Sequence, residues 1–267
     1  MESTQERLAN AYRRELASLP SYWLDQSRKH EAEFAHLSGL FLPGSSPEYE
    51  QAATRIMVVG RETRRWEIIK FGGPFAGLDD YVQRAMAIQQ EYLLRSLKKP
   101  KADKGESFFN FLRRLRQKDE GVGIAWANLF SFAWQRGSPM SWEHIQPLKL
   151  ISKLLLETQI TVLQPDIIIF ANGASSARIR QEYFPHEGEF SVCTDLGDYR
   201  EYGIPNRQLW RFRLFGSIQC YRIQHPSSVS KASRTARHFL LDKVLPQHLP
   251  RFPHDTFRTE SNALAAL

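Results

Sequence analysis

Pro165-Asp166-Ile167-Ile168-Ile169-Phe170-Ala171-Asn172-Gly173 decides the fold. The run from Ile167 to Phe170 is wholly apolar, mostly β-branched and too short for a helix. It starts after a proline and stops at Asn-Gly, as a strand buried on both faces of a parallel sheet does. Upstream, Ile151 to Leu163 carries apolar residues at helical spacing, and Ala174 to Tyr183 does so downstream. A buried strand between two helices is the repeating unit of an α/β domain.

Working outward, Arg55-Ile56-Met57-Val58-Val59-Gly60 is a second such strand, and Gly123 to Phe130 (GIAWANLF) a third. Helical spacing recurs over Asp79 to Leu97 and Ser107 to Arg116, joined by the polar, basic connection Lys98 to Glu106 (KKPKADKGE). Leu209 to Phe215 and Gln219 to Ile223 read as strands around a Gly216-Ser217 turn, and Lys231 to Val244 as a closing helix. The expectation is a three-layer α/β/α sandwich around a mainly parallel sheet. Such sheets bind ligands beyond the carboxyl ends of their strands, so the loops after Gly60, Asn128, Gly173 and His225 are where chemistry is expected.

At the N-terminus Leu8, Tyr12, Leu16, Trp23, Phe34 and Leu37 follow helical spacing up to the turn Pro43-Gly44-Ser45-Ser46. The chain divides into residues 1–50, a helical extension packed on the domain; 51–248, the α/β domain; and 249–267, a loosely attached, proline-bearing tail. No internal repeat is present.

With 267 residues, 42% of them hydrophobic, the chain can bury a core without disulfides or metals. Its two cysteines, Cys193 and Cys220, are too few for a disulfide framework, a tetrathiolate zinc site or an iron–sulfur cluster. No apolar signal core opens the chain, and no stretch approaches the ~18 apolar residues of a membrane span. The expectation is a monomer in a reducing cytosol of prokaryotic type, with no membrane partner. A formal charge of +7 favours a polyanion such as DNA.

His225-Pro226-Ser227-Ser228-Val229-Ser230 lies between a strand and a helix. It resembles the HPSPLS loop of uracil-DNA glycosylases, with Ser228 in place of proline and Val229 in place of leucine. The resemblance implies that His225 stabilises negative charge on the departing base, an oxyanion-type role. It also implies that Ser227, Ser228 and Ser230 contact phosphates and that Val229 enters the space left by a flipped base. Lys231, Arg234 and Arg237 recur every third residue on the following helix and would neutralise backbone phosphates.

Val58-Val59-Gly60-Arg61-Glu62-Thr63 stands where that superfamily carries its water-activating loop, GQDPY or GEAPG, and Glu62 falls on the aspartate of the first form. A carboxylate there would orient water or stabilise an oxocarbenium-like sugar. Arg64 replaces the tyrosine that bars 5-substituted bases from uracil-specific enzymes. Arg64 and Trp66 are therefore expected in an enlarged base pocket, with Arg65, Trp126, Trp134, Arg136 and Trp142 in or near the same loops. Phe71-Gly72-Gly73-Pro74-Phe75-Ala76-Gly77 resembles the GRPFVG segment of the iron–sulfur branch, so Phe75 would stack on the extruded base. Asn128, at a strand end between the other two loops, would read the base edge.

The resemblance spans roughly residues 54 to 245. It implies a DNA glycosylase of the uracil-DNA glycosylase superfamily that flips a modified or damaged pyrimidine and hydrolyses its N-glycosidic bond, leaving an abasic site. The missing tyrosine points to a hypermodified base, of the glucosylated hydroxymethylcytosine type found in phage DNA, and so to antiviral defence. Plain uracil excision in base-excision repair and a non-catalytic DNA-binding relative are the alternatives. A nucleotide-binding α/β enzyme fits less well, because the Gly60 loop is neither G-x-G-x-x-G nor a P-loop. No metal or cofactor is expected, and the loops hold no lysine placed to form a Schiff base.

Overall fold

The computed structural model describes residues 2–25, 28, 30–32, 34–64, 66, 75–100, 106–135 and 139–249. Arg65, Arg136, Phe71 to Pro74 and the tail from residue 250 lie outside the described residues. Helix α1 (Thr4–Leu16) begins at a reciprocal cap. The Ser3 hydroxyl accepts from the Glu6 amide at 3.1 Å and the Ser3 amide donates to the Glu6 carboxylate at 2.8 Å. Leu8, Tyr12 and Leu16 bury one face of α1, and the Tyr12 hydroxyl donates to the Pro43 carbonyl at 2.9 Å.

The helical reading of the next segment stops early. After a short α2 (Tyr22–Asp25), Leu37–Leu40 is a strand, β1, paired antiparallel with β4 (Phe132–Trp134). Pro20 separates α1 from α2: it has no amide to donate, and its carbonyl accepts from Trp23 instead. Trp23 and Phe34 then pack with Trp134 and Trp142 in one aromatic cluster, with Trp23 and Trp142 ring centroids 5.4 Å apart. Trp134 and Trp142 are therefore core residues and do not line the expected pocket.

A one-turn α3 (Pro47–Glu50) leads to β2 (Thr54–Gly60), followed in turn by α4 (Leu78–Lys98), α5 (Ser107–Arg116) and β3 (Val122–Asn128). The bare backbone of Gly123 admits α3 against β3, since a Cβ there would meet the Cα of Tyr49 at 2.8 Å. Helix α6 (Ile145–Leu163) starts ahead of the expected Ile151 because Pro147 falls in its first turn, where no amide partner is needed. It ends at Gln164, left-handed at φ 46°, because Pro165 disfavours a helical residue before it. Then come β5 (Ile167–Phe170), α7 (Ala177–Tyr183), β6 (Cys193–Gly197), β7 (Leu209–Leu214), β8 (Ile218–Ile223) and α8 (Lys231–Phe239), which runs on through a π-helical turn to Val244.

The protein is α/β, with a mostly parallel six-stranded sheet flanked by helices and ordered β3-β2-β5-β8-β7-β6. The first four run parallel, and β7 and β6 add antiparallel at one edge. Register places Gly60 beside Asn128. From β2 the chain leaves toward β3, whereas from β5 it leaves toward β8. The connections diverge between adjacent strands β2 and β5, which opens a crevice at their carboxyl ends. Among the described residues no helix is long and apolar enough to cross a membrane.

Candidate active site

A cleft of about 730 Å³ opens at those carboxyl ends, bordered by Gly60, Glu62, Arg64 and Trp66 after β2, Asn128 from β3, Asn172 and Gly173 after β5, and His225, Ser227 and Ser228 after β8. All four loops singled out from the sequence meet there.

His225 has a defined hydrogen-bonding state. Its Nδ1 accepts from the Ser227 backbone amide at 3.2 Å, and the Ser227 hydroxyl lies 2.7 Å from the same nitrogen. An amide can only donate, so Nδ1 is the acceptor and Nε2 carries the hydrogen of the neutral ring. Burial, together with the positive charges of Arg61, Arg237 and Arg64, pushes the imidazole below its ordinary pKa and favours that neutral form. Gly173, at φ +78°, lies against this residue: a Cβ there would stand 3.5 Å from the His225 amide.

Asn128 is buried, at 2% exposure, and its Oδ1 accepts from the Trp126 indole at 3.3 Å, while Nδ2 finds no partner. A buried amide left half-satisfied on a cleft wall is a donor held ready for a ligand, since such a group otherwise costs about 1–3 kcal/mol. Asn172 goes further. Buried and on the same cleft, it leaves both Nδ2 and Oδ1 unpaired. The Trp66 indole nitrogen and the Thr63 hydroxyl on the cleft wall are unpaired as well.

Glu62 has a side chain only 3% exposed. Arg61 holds both its oxygens, Nη2 donating to Oε1 at 2.6 Å and Nε to Oε2, and Arg64 Nε is 3.9 Å from Oε1. A carboxylate has about four lone-pair positions. Two remain after the Arg61 fork, so a water can still be held.

The phosphate-gripping roles divide. Val229 is 79% exposed beside the cleft. The Ser230 hydroxyl caps α8, accepting from the Ser233 amide at 3.2 Å and donating to the Ser233 hydroxyl at 2.8 Å. The Ser228 hydroxyl also donates to Ser233, which in turn donates to Gln208. Ser228 and Ser230 thus shape the loop, and the Ser227 hydroxyl stays against the imidazole. Arg237 turns inward to the Ser228 carbonyl at 3.0 Å, whereas Lys231 and Arg234 stay exposed.

Phe75 is not brought to the cleft. Its ring packs on Tyr81, centroids 4.7 Å apart, with the Arg84 guanidinium 5.7 Å from its centroid. The aromatic wall is instead Trp66, Tyr92, Phe108, Phe109 and Trp126. Phe108 stacks nearly parallel to His225 at 6.1 Å and borders Gly60. No sequence motif marks Phe108, which reaches the cleft because α5 packs over β3. Among the described residues no cluster of His, Cys, Asp and Glu is placed to hold a metal ion. No protein-family model matches the chain, and no curated protein matches it significantly.

Proposed function

We propose that the chain is a DNA glycosylase of the uracil-DNA glycosylase superfamily that flips a modified pyrimidine into this cleft and hydrolyses its N-glycosidic bond. One observation carries the reading: a half-buried imidazole held as the Nε2–H tautomer borders the same cleft as a buried asparagine amide with a free donor. As the C1′–N1 bond breaks, its electron pair enters the base and accumulates on O2, where a neutral imidazole N–H is the matching donor. Asn128 Nδ2 donates to the base edge and Phe108 supplies a stacking face, in place of Phe75. A water held by Glu62 attacks C1′ and gives its proton to the Glu62 carboxylate, while the base leaves as its N1 anion and an abasic site remains.

A substituted base suits the space. The cleft falls in the ~300–1,000 Å³ range of sites for drug-sized ligands, more than a bare pyrimidine needs. Asn172, Thr63 and Trp66 add unpaired donors and acceptors beyond those that read the ring. Hydroxyl-rich substituents, such as the glucosylated hydroxymethylcytosine of phage DNA, would satisfy them, and antiviral defence is the setting in which such a substrate would be met. Binding to DNA as a monomer in the cytosol belongs to the same proposal.

The Arg61 fork on Glu62 favours one other reading, a relative that binds DNA without cutting. Base release followed by mass spectrometry, from uracil-containing DNA and from DNAs with modified cytosines, decides between them. Wild type should release one base, with Glu62→Gln and His225→Ala strongly impaired. Equal release of uracil and modified bases refutes the substrate preference. Binding without release from every DNA establishes the non-cutting relative.

A further inference from the structure

Beside the cleft, with Ala174 as a shared wall, lies a second cavity of about 570 Å³ that the proposed base chemistry does not use. It is bordered by Arg180 of α7, Arg222 of β8 and Arg207 from the loop before β7. Arg180 is 2% exposed, yet its Nε and Nη1 have no hydrogen-bond partner and no carboxylate pairs with it among the described residues. Its guanidinium neighbours are the Cys193 thiol, which burial pushes toward the neutral form, and two aromatic rings, Cζ lying 5.1 Å from the ring centroids of both Trp210 and Phe212. Such contacts are weak beside the cost of desolvating a buried ion, which two ring faces do not offset.

Arg222 repeats the problem next door. Its Nη1 donates to the Arg207 carbonyl at 2.7 Å and its Nη2 to that of Asn206, and no carboxylate meets it among the described residues. Burial, with the like charge of Arg180, pushes its pKa down to about 10. The acids on the rim are engaged elsewhere: Asp198 accepts from the Arg200 amide and guanidinium at 3.1 and 2.6 Å, and Glu187 lies 3.4 Å from the His186 imidazole. Two half- to fully buried guanidiniums thus share one cavity with neither paired to a carboxylate among the described residues.

We propose that this cavity is an anion site that takes a phosphate group, with Arg180 and Arg222 as its inner donors and the exposed Arg207 at its mouth. Free donors on a planar guanidinium and a second guanidinium beside it match the oxygens of a tetrahedral oxyanion. The phosphate comes either from a DNA strand running past Ala174 or from a free phosphate compound. The site itself stands independently of the glycosylase reading.

Thermal unfolding of the full chain tests it, in inorganic phosphate against chloride at matched ionic strength. Wild type should show a saturable rise in midpoint with phosphate. Arg222→Met, folded by circular dichroism, should bind phosphate about tenfold more weakly or worse, the usual worth of a charge-assisted contact. Arg207→Ala, at an exposed position, should weaken it less. The absence of a phosphate-specific rise, or an equal rise in Arg222→Met, overturns the site. A second arm names the source, using oligonucleotides in which one phosphodiester at a time is a neutral methylphosphonate. A drop in affinity at a single position, absent in Arg222→Met, assigns a strand phosphate; a uniform response alongside the phosphate effect assigns a free one.

Discussion

Gly60→Ala should damage both stability and the candidate site, through one atom. The backbone at Gly60 lies outside the left-handed region, so alanine meets no conformational strain there. Its Cβ would, however, stand 2.5 Å from Asn128 Oδ1, about 1 Å inside the ~3.5 Å at which such atoms attract. Oδ1 cannot retreat freely, because the Trp126 indole donates to it at 3.3 Å. Losing that bond costs about 1 kcal/mol, and overpacking a filled position costs about 1–3 kcal/mol, so the variant should lose about 2–4 kcal/mol. In an Asn128→Ala background the obstructing oxygen is gone, and the same substitution should cost under about 1 kcal/mol, a coupling energy of about 1–3 kcal/mol. Urea midpoints at constant slope for the four proteins measure it. Base release by the single variant should fall about 100-fold, the usual consequence of misplacing a binding group by about 1 Å. Equal costs of Gly60→Ala in both backgrounds would refute the reasoning.

Acid stability should report the half-buried imidazole of His225. His225 has its pKa lowered on folding, so between that value and the ordinary 6.5 the unfolded chain binds the extra proton. Stability should therefore be full above pH 6.5 and fall as pH drops through that window. His225→Gln should flatten the fall in part, with His248, also lowered by burial, carrying the rest; an unchanged acid limb in urea titrations would show the imidazole to be solvated. Arg61→Met strips the buried Glu62 of its fork and should cost about 2–4 kcal/mol. Arg64→Ala, with a side chain 62% exposed, should change stability by no more than about 0.5 kcal/mol, and equal urea midpoints for the two would place Glu62 in water. Val229→Ala should leave the melting temperature unchanged while slowing base release from duplex more than from single-stranded DNA, because only a duplex leaves a gap to fill; equal slowing on both removes the wedge role.

The sequence showed most where one residue's surroundings are implied by its neighbours in the chain. Buried parallel strands appear as apolar runs, so β2, β3 and β5 were found within about two residues of their ends. The half-exposed β6 and the short β1 and β4 have no such signature, since three to five residues cannot establish a period. The site followed the same division. Glu62, Asn128 and His225 were legible because each lies at a strand end or within two residues of one, and parallel register then gathers them at one edge. Phe75 was misplaced because a proline-aromatic step says nothing of which ring it will meet, here Tyr81. Phe108 was missed because its stack on His225 forms only when distant elements pack, and Asn172 and Arg180 were missed because their interest lies in what does not touch them. An amide with both ends unpaired, or a guanidinium with no carboxylate, is a fact about the whole fold, and only the packed structure can expose such a vacancy as a place for a ligand.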